Sequence, residues 1–278
     1  MIKKIYQLIF PLVIRRLFFL FRAVLLNPKR IFVLNDNNSY NEGGLATNHI
    51  VDFLKDENFV KNFTEASKNN DFIDPSTNGW RYRAYINKYF AEYVLKKFEN
   101  DDGDFIELGT GRAVFAKLIF LSTDLKDHKN RKFYLFDTFK RTSHSALKDD
   151  DPNVHFKKFE KLKIDHIEGD YSIFVQKKLS NFKNFELVKG KLPSTLDKKL
   201  AEINKVIFLH IELNDVYSEI ESIKLIYDKL AKGSVVIIEK YCYSEVFREQ
   251  KNAWDDFIKS KNNIILSLPT GQGVFFKI

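Results

Sequence analysis

DFIELGTGRA, residues 104–113, is an apolar run that breaks on two glycines and leads directly into the helical stretch VFAKLIFLS, 114–122. A strand that ends in Gly109 and Gly111 and hands over to a helix can turn sharply. It also lets a ligand approach the backbone, at a helix start whose N–H groups are free. Alone, the pattern fits a tight turn equally well. Outward from it, short apolar runs alternate with helical spacing. Strands are predicted at 132–137, 185–190, 205–212, 234–241, 263–269 and 273–278, and helices at 49–68, 81–98, 171–181, 194–203, 219–233 and 249–260. In the 81–98 helix Tyr82, Tyr85, Tyr89 and Tyr93 recur every three or four residues, a stripe that reads as core packing. Repeated strand–helix units predict an α/β, doubly wound, mostly parallel sheet covered on both faces. The last two strands, joined through Thr270-Gly271-Gln272-Gly273, predict an antiparallel pair at the end.

The composition is globular, with 44% apolar and 29% charged residues among 278. A single cysteine, Cys242, excludes an internal disulfide framework and a Cys-based zinc cluster. It fits a reducing, cytoplasmic compartment. The net charge of +8 is concentrated in residues 1–30, where Lys3, Lys4, Arg15, Arg16, Arg22, Lys29 and Arg30 meet no acid. The rest is close to neutral, which argues against nucleic acid as a partner. Residues 5–26 are apolar but interrupted by three arginines, too broken for a spanning helix and without a small-residue cleavage site. On a helix, Lys4, Arg15 and Arg22 share one side and Phe and Leu fill the other. Two readings stand side by side: contact of residues 1–26 with the inner face of a membrane, or packing on protein, including a homo-oligomer. From Asn27 to Gly44 the chain reads as a linker. The predicted organisation is therefore a basic amphipathic segment and linker, 1–44, followed by one domain, 45–278.

In doubly wound sheets, ligands sit beyond the carboxyl ends of the strands. Asp137 ends the second strand, where an acid can hold two ribose hydroxyls or can cap the following turn. In FLHIELNDVYSE (208–219), His210 and Glu212 share one side of a strand by alternation. They are candidates for general-base work or metal ligation, with a hydrogen-bonded core histidine as the plain alternative. Glu239, Lys240 and Tyr241 end the next strand.

These blocks together resemble the macrocin O-methyltransferase-like (TylF/MycF-type) class I methyltransferases over residues 45–278. LATNHIVDFLKDENF (45–59) is similar to the family's opening block, followed by the pair Trp80-Arg81. GDFIELGTGRA (103–113) resembles its cofactor loop, and FYLFDTF (133–139) its FDTF/FDSF strand end. VKGKLPSTL (188–196), FLHIEL (208–213), LAKGSVVIIEKY (230–241) and LPTGQG (268–273) follow in the family's order. The resemblance implies S-adenosylmethionine-dependent methylation of a hydroxyl on a sugar, glycan or polyketide-like metabolite. It places Glu107, Gly109, Gly111 and Arg112 at the methionine part of the cofactor, Asp137 and Thr138 at the ribose and Gly190 near the adenine. Glu212, His210 and Lys240 become the catalytic candidates. Three features depart from the family. Ala113 stands where glycine is usual, tolerable if φ stays negative there. The metal-binding carboxylates read Glu212 and Glu239, and the third position is Lys240, a cation that opposes Mg²⁺. The last change leaves two expectations for Lys240: compensation of the carboxylates, or a side chain turned to solvent opposite Glu239. It also raises a competing function, a non-catalytic cofactor- or partner-binding module.

Overall fold

A computed structural model of the chain describes residues 39–42, 45–70, 80–140, 170–213 and 215–278. The membrane-or-packing segment at 1–26, most of the linker and all but the first residue of the charged connection at 140–165 lie outside the described residues. Ser39–Ile278 is one compact unit. It starts slightly before the expected boundary at 44/45, because the linker's end forms a short hairpin of β1 (Tyr40–Glu42) and β2 (Leu45–Thr47). Tyr40 is buried, and its hydroxyl accepts the backbone N–H of Tyr82.

Seven further strands make the main sheet: β3 (Asp104–Leu108), β4 (Phe133–Asp137), β5 (Phe185–Lys189), β6 (Val206–Ile211), β7 (Leu230–Ile238), β8 (Leu266–Ser267) and β9 (Gly273–Phe276). Their order is β5-β4-β3-β6-β7-β9-β8, and only the β7–β9 and β9–β8 pairs are antiparallel. The chain winds outward from β3 to β5 and then restarts at β6, so the reversal lies between β3 and β6, the place where doubly wound sheets bind ligands.

Among the described residues the α-helices are α1 (Glu57–Ser67), α2 (Arg81–Lys97), α3 (Val114–Ser122), α4 (Ser172–Lys178), α5 (Ser194–Lys199), α6 (Val216–Ile226) and α7 (Arg248–Ser260). Strand alternation splits the core into two layers. Phe105, Phe208, Val235 and Ile237 pack with α2, α3 and α4 on one face. Ile106, Leu209, Val236 and Ile238 pack with α5, α6 and α7 on the other. Among the described residues no helix is long and apolar enough to cross a membrane.

Several sequence expectations shift. The 49–68 helix begins only at Glu57, where the Asp56 side chain caps it by accepting the Phe59 N–H at 3.0 Å. Gly233 does not end a helix. It lies inside β7 with φ +83, at a register shift against β6, and a Cβ there would meet Lys97 Cε at 2.2 Å. The tyrosine stripe of α2 is not its deepest face: Tyr89 is exposed, whereas Arg83, Ala84, Asn87, Ala91, Val94 and Leu95 are buried.

Candidate active site

Glu107 on β3 and His210 on β6 are register partners on the face covered by α2 and α3. His210 Nδ1 lies 3.1 Å from Glu107 Oε1, and its Nε2 lies 3.1 Å from Glu239 Oε1 just beyond β7. Glu239 Oε2 accepts from Arg83 at 3.1 Å. Its Oε1 also accepts from Gln272 at 2.7 Å and from Asn87 at 3.3 Å. The Arg83 guanidinium lies 4.0 Å from the Trp80 ring centre, and Phe115 packs against both Trp80 and His210. All four charged groups are buried.

The charges alternate in sign along this chain, which fixes their ionisation. Burial opposes charge on His210, but the two flanking carboxylates outweigh it and raise its pKa to about 10. Burial also works against ionised Glu239, yet Arg83 and His210 hold it low, at about 2. Glu107 is pushed up by burial, with His210 opposing. The sequence left His210 open between a base and a core histidine. Both of its ring nitrogens are engaged and it is 1% exposed, so no nitrogen is left to face an acceptor. It is the hydrogen-bonded core histidine.

A second pair sits one step outward. Glu212 follows β6, and its Oε1 lies 3.0 Å from Lys240 Nζ; the side chains are 15% and 19% exposed. Alternation suggested a Lys240 turned away from the site, but β7 ends at Ile238 and Lys240 takes a left-handed backbone, φ +60. The chain has left the strand, so the period of two no longer applies, and the ammonium comes back to Glu212.

The glycine loop lies beside these groups. Gly109 has φ +88, and a Cβ there would meet the Glu212 carbonyl oxygen at 2.1 Å, so only glycine lets the β3 and β6 ends approach this closely. A Cβ on Gly111 would meet nothing within 4 Å. Ala113 also lies in the left-handed region, φ +53 and ψ +44. The negative φ on which its tolerance rested is therefore corrected.

Asp137 is engaged by its own surroundings. Oδ2 accepts the Gly111 N–H at 2.8 Å, and Oδ1 accepts from the Phe139 N–H and the Tyr171 hydroxyl, each at 2.8 Å. The carboxylate thus latches the glycine loop to the end of β4. Thr138 Oγ1 donates to the Lys140 carbonyl, and Gly190 N–H donates to the Asp137 carbonyl. The Arg112 side chain donates to the Asn69 carbonyl, while the Arg112 carbonyl accepts from Lys178 Nζ at 2.8 Å. Burial, with Lys117 and Arg112 nearby, lowers the Lys178 pKa to about 7.

These residues fit S-adenosylmethionine. Glu107 Oε2 and Thr110 Oγ1 are buried without a hydrogen bond of good geometry, which suits a cationic, hydrogen-bonding ligand at the loop. They do not fit a divalent metal. Glu239 is ringed by four protein groups, Glu212 faces an ammonium, and among the described residues no three His, Cys, Asp or Glu side chains gather as a metal site. Sequence reading missed Arg83, Asn87, Gln272 and Tyr171. The available signal for the first two was their i, i+4 spacing among Ala84 and Ala91 on one face of α2.

The comparisons with known proteins agree with this geometry. The family model described as macrocin-O-methyltransferase (TylF) matches residues 89–277. The solved structure of the O-methyltransferase NovP is similar with TM-score 0.61 and 16% identity, covering 79% of this chain and 96% of that one. CalS11, a calicheamicin methyltransferase, is similar with TM-score 0.52 and 13% identity, covering 82% and 94%. No curated protein matches in sequence. The reversal between β3 and β6, the glycine loop and the family match converge: the chain belongs to the macrocin-O-methyltransferase (TylF) family of S-adenosylmethionine-dependent O-methyltransferases.

Proposed function

We propose that this chain methylates a hydroxyl on a sugar, glycan or polyketide-like small molecule, with Glu212 as the base that takes the acceptor's proton. When bound, S-adenosylmethionine supplies a methyl group on a sulfonium; the acceptor oxygen gains the C–O bond and sulfur keeps the C–S electron pair. The observation that carries the reading is the part-open carboxylate of Glu212, a residue that follows β6 directly and whose backbone carbonyl lies against Gly109 of the glycine loop. Glu107, Gly109, Gly111 and Arg112 are assigned to the methionine end, Asp137 and Thr138 to the ribose and Gly190 to the adenine side. His210 positions Glu107 and Glu239 from behind. The catalytic domain is residues 45–278, with the few residues before it adding a packed hairpin. The acceptor class draws support from the family and from NovP and CalS11.

Calorimetric titration of the full chain with S-adenosylhomocysteine tests the cofactor assignment. Asp137→Ala is expected to weaken binding by about 1.5–3 kcal/mol, the range for hydrogen bonds to a charged group. A change of less than twofold overturns the ribose role. Turnover on hydroxylated sugars and polyketide-like compounds tests the acceptor class, and activity confined to other acceptors overturns it.

The N-terminal segment, residues 1–26, is read as a contact to an anionic membrane surface at the cytoplasmic face. Its support is the basic stripe of Lys4, Arg15 and Arg22 opposite Phe and Leu. Full-length protein should bind anionic vesicles at low salt and release them at high salt. Indifference to such vesicles would assign the segment to packing or a homo-oligomer instead.

A further inference from the structure

The cation that Glu212 faces is part of the chain. We infer that Lys240 supplies, as a fixed ammonium, the positive charge for which metal-dependent enzymes of this fold use a divalent ion, and that this enzyme transfers its methyl group without a metal. This rests on the methyl-transfer reading above and adds to it the nature of the charge beside the base.

The donor set carries the argument. Mg²⁺ demands near-octahedral oxygen ligands at about 2.1 Å and is usually anchored by carboxylates. Of the two carboxylates at the positions that the family resemblance links to metal, Glu239 is committed on both oxygens to Arg83, His210, Gln272 and Asn87, with its side chain fully buried. Glu212 remains, and its Oε1 lies 3.0 Å from Lys240 Nζ. An ion seated on Glu212 would meet a like charge at contact distance. The placement of Lys240 is costly in backbone terms. A non-glycine residue at φ +60 is held in a sparsely populated region, and such residues persist where the surroundings over-determine them. The turn brings Nζ to Glu212 and 6.0 Å from the Phe247 ring centre, a cation–π distance that further fixes the ammonium.

In the transfer step the acceptor's proton passes to Glu212. The acceptor oxygen forms the bond to the methyl carbon, and the C–S pair remains on sulfur. No external cation enters the balance. The Lys240 ammonium offsets negative charge on the oxygen as the proton leaves and stays bound to Glu212 after it arrives. This is preorganised electrostatic stabilisation, which needs no reorganisation at the moment of reaction.

Two independent readouts test the inference on the full chain. In the first, inorganic Mn²⁺ is titrated by electron paramagnetic resonance, a measurement that needs no acceptor and no turnover. Wild type should leave the free-ion signal unchanged, whereas Lys240→Asp, which supplies a second available carboxylate, should bind Mn²⁺ at least tenfold more tightly. In the second, wild-type methyl transfer should survive excess EDTA, with Lys240→Ala strongly reduced in kcat and Lys240→Arg partly restored. Stoichiometric Mn²⁺ binding by wild type overturns the inference, as does activity lost to EDTA and restored by Mg²⁺. A folded Lys240→Asp protein that gains no Mn²⁺ affinity overturns the claim that Lys240 excludes the ion. Failure of the full chain to bind S-adenosylhomocysteine would instead strike the methyl-transfer reading, while the Mn²⁺ titration still decides the cation.

Discussion

Two sets of charges lie at the same sheet edge, a residue or two apart in sequence, and they are built oppositely. The inner set, Glu107, His210, Glu239 and Arg83, is sealed, with each ionised group answered by an opposite one. The outer set, Glu212 and Lys240, is simpler and part-open. Their separation is positional. His210 and Glu239 point under α2 and α3, whereas Glu212 and Lys240 lie past the last strand residues. The contrast teaches that a carboxylate's chemistry is decided by what already holds its lone pairs. Glu239 is structural because four side chains use its two oxygens, whereas Glu107 gives one oxygen to the imidazolium and keeps the other for the glycine loop's ligand. The outer acid keeps part of its side chain open to solvent.

The most severe way to break this contrast is Glu239→Ala. It leaves the Arg83 guanidinium and the His210 imidazolium buried without their shared counter-ion, and removing one partner of a buried pair costs about 3–5 kcal/mol. Denaturant unfolding should show that loss, whereas Glu212→Ala should cost clearly less, because its pair is not sealed from solvent. Equal stability losses would mean that the two sets are not distinct.

The inner set should also write itself into the pH dependence of stability. The folded pKa of His210, about 10, lies above its unfolded value, so its contribution is complete below about pH 6.5 and fades as pH rises through about 10. Raised Glu107 pushes the same way, and the steps belong to the coupled cluster. Lys178, held down to about 7, contributes with the opposite sign in the same window. The informative measurement is therefore the stability difference between wild type and His210→Gln, which should shrink from pH 6.5 to 10. A constant difference would show that His210 is neutral in the fold.

For the outer set the readout is rate. Glu212→Gln keeps the size of the side chain and removes the base, so kcat should fall about a hundredfold, the lower end for general-base catalysis. Binding of S-adenosylhomocysteine should stay within about threefold. A Glu212→Gln enzyme of near wild-type kcat would move the base elsewhere.

Legibility in the sequence followed the same division. Continuous apolar runs such as VIFLHI and the glycine break after Leu108 made the strands and the ligand edge readable, because both are local features of the chain. By strand alternation His210 and Glu212 could be placed on one side of their strand. The partners could not. Arg83 and Asn87 reach Glu239 from more than 150 positions away, and Gln272 arrives through a turn whose packing no local pattern encodes. Of the two expectations for Lys240, the solvent-facing one fails because alternation does not extend beyond Ile238, where the strand ends. Gly233 was similar, since a glycine after helical spacing reads as a C-cap unless the pairing with β6 is known.

The smallest effect concerns the loop that serves the outer set. Ala113 starts α3, whose Phe115 closes over His210, and it holds φ +53 where the family usually has glycine. A left-handed alanine costs roughly 1–2 kcal/mol relative to a residue without a Cβ. Its methyl is fully buried in the layer under α3, and removing one buried carbon forfeits about 0.8 kcal/mol. Glycine also has more freedom to lose on folding, a further cost of a few tenths. Ala113→Gly should therefore stabilise the protein by only about 0.5 kcal/mol. That corresponds to a thermal shift of one or two degrees for a domain of this size. S-adenosylhomocysteine affinity should be unchanged, because neither the Gly111 N–H held by Asp137 nor Glu107 moves. A stabilisation above about 1.5 kcal/mol would show that the methyl contributes no packing and that the loop is held under strain by the rest of the site. A destabilisation of that size would show that the methyl is the peg on which α3, and through Phe115 the inner set, is hung.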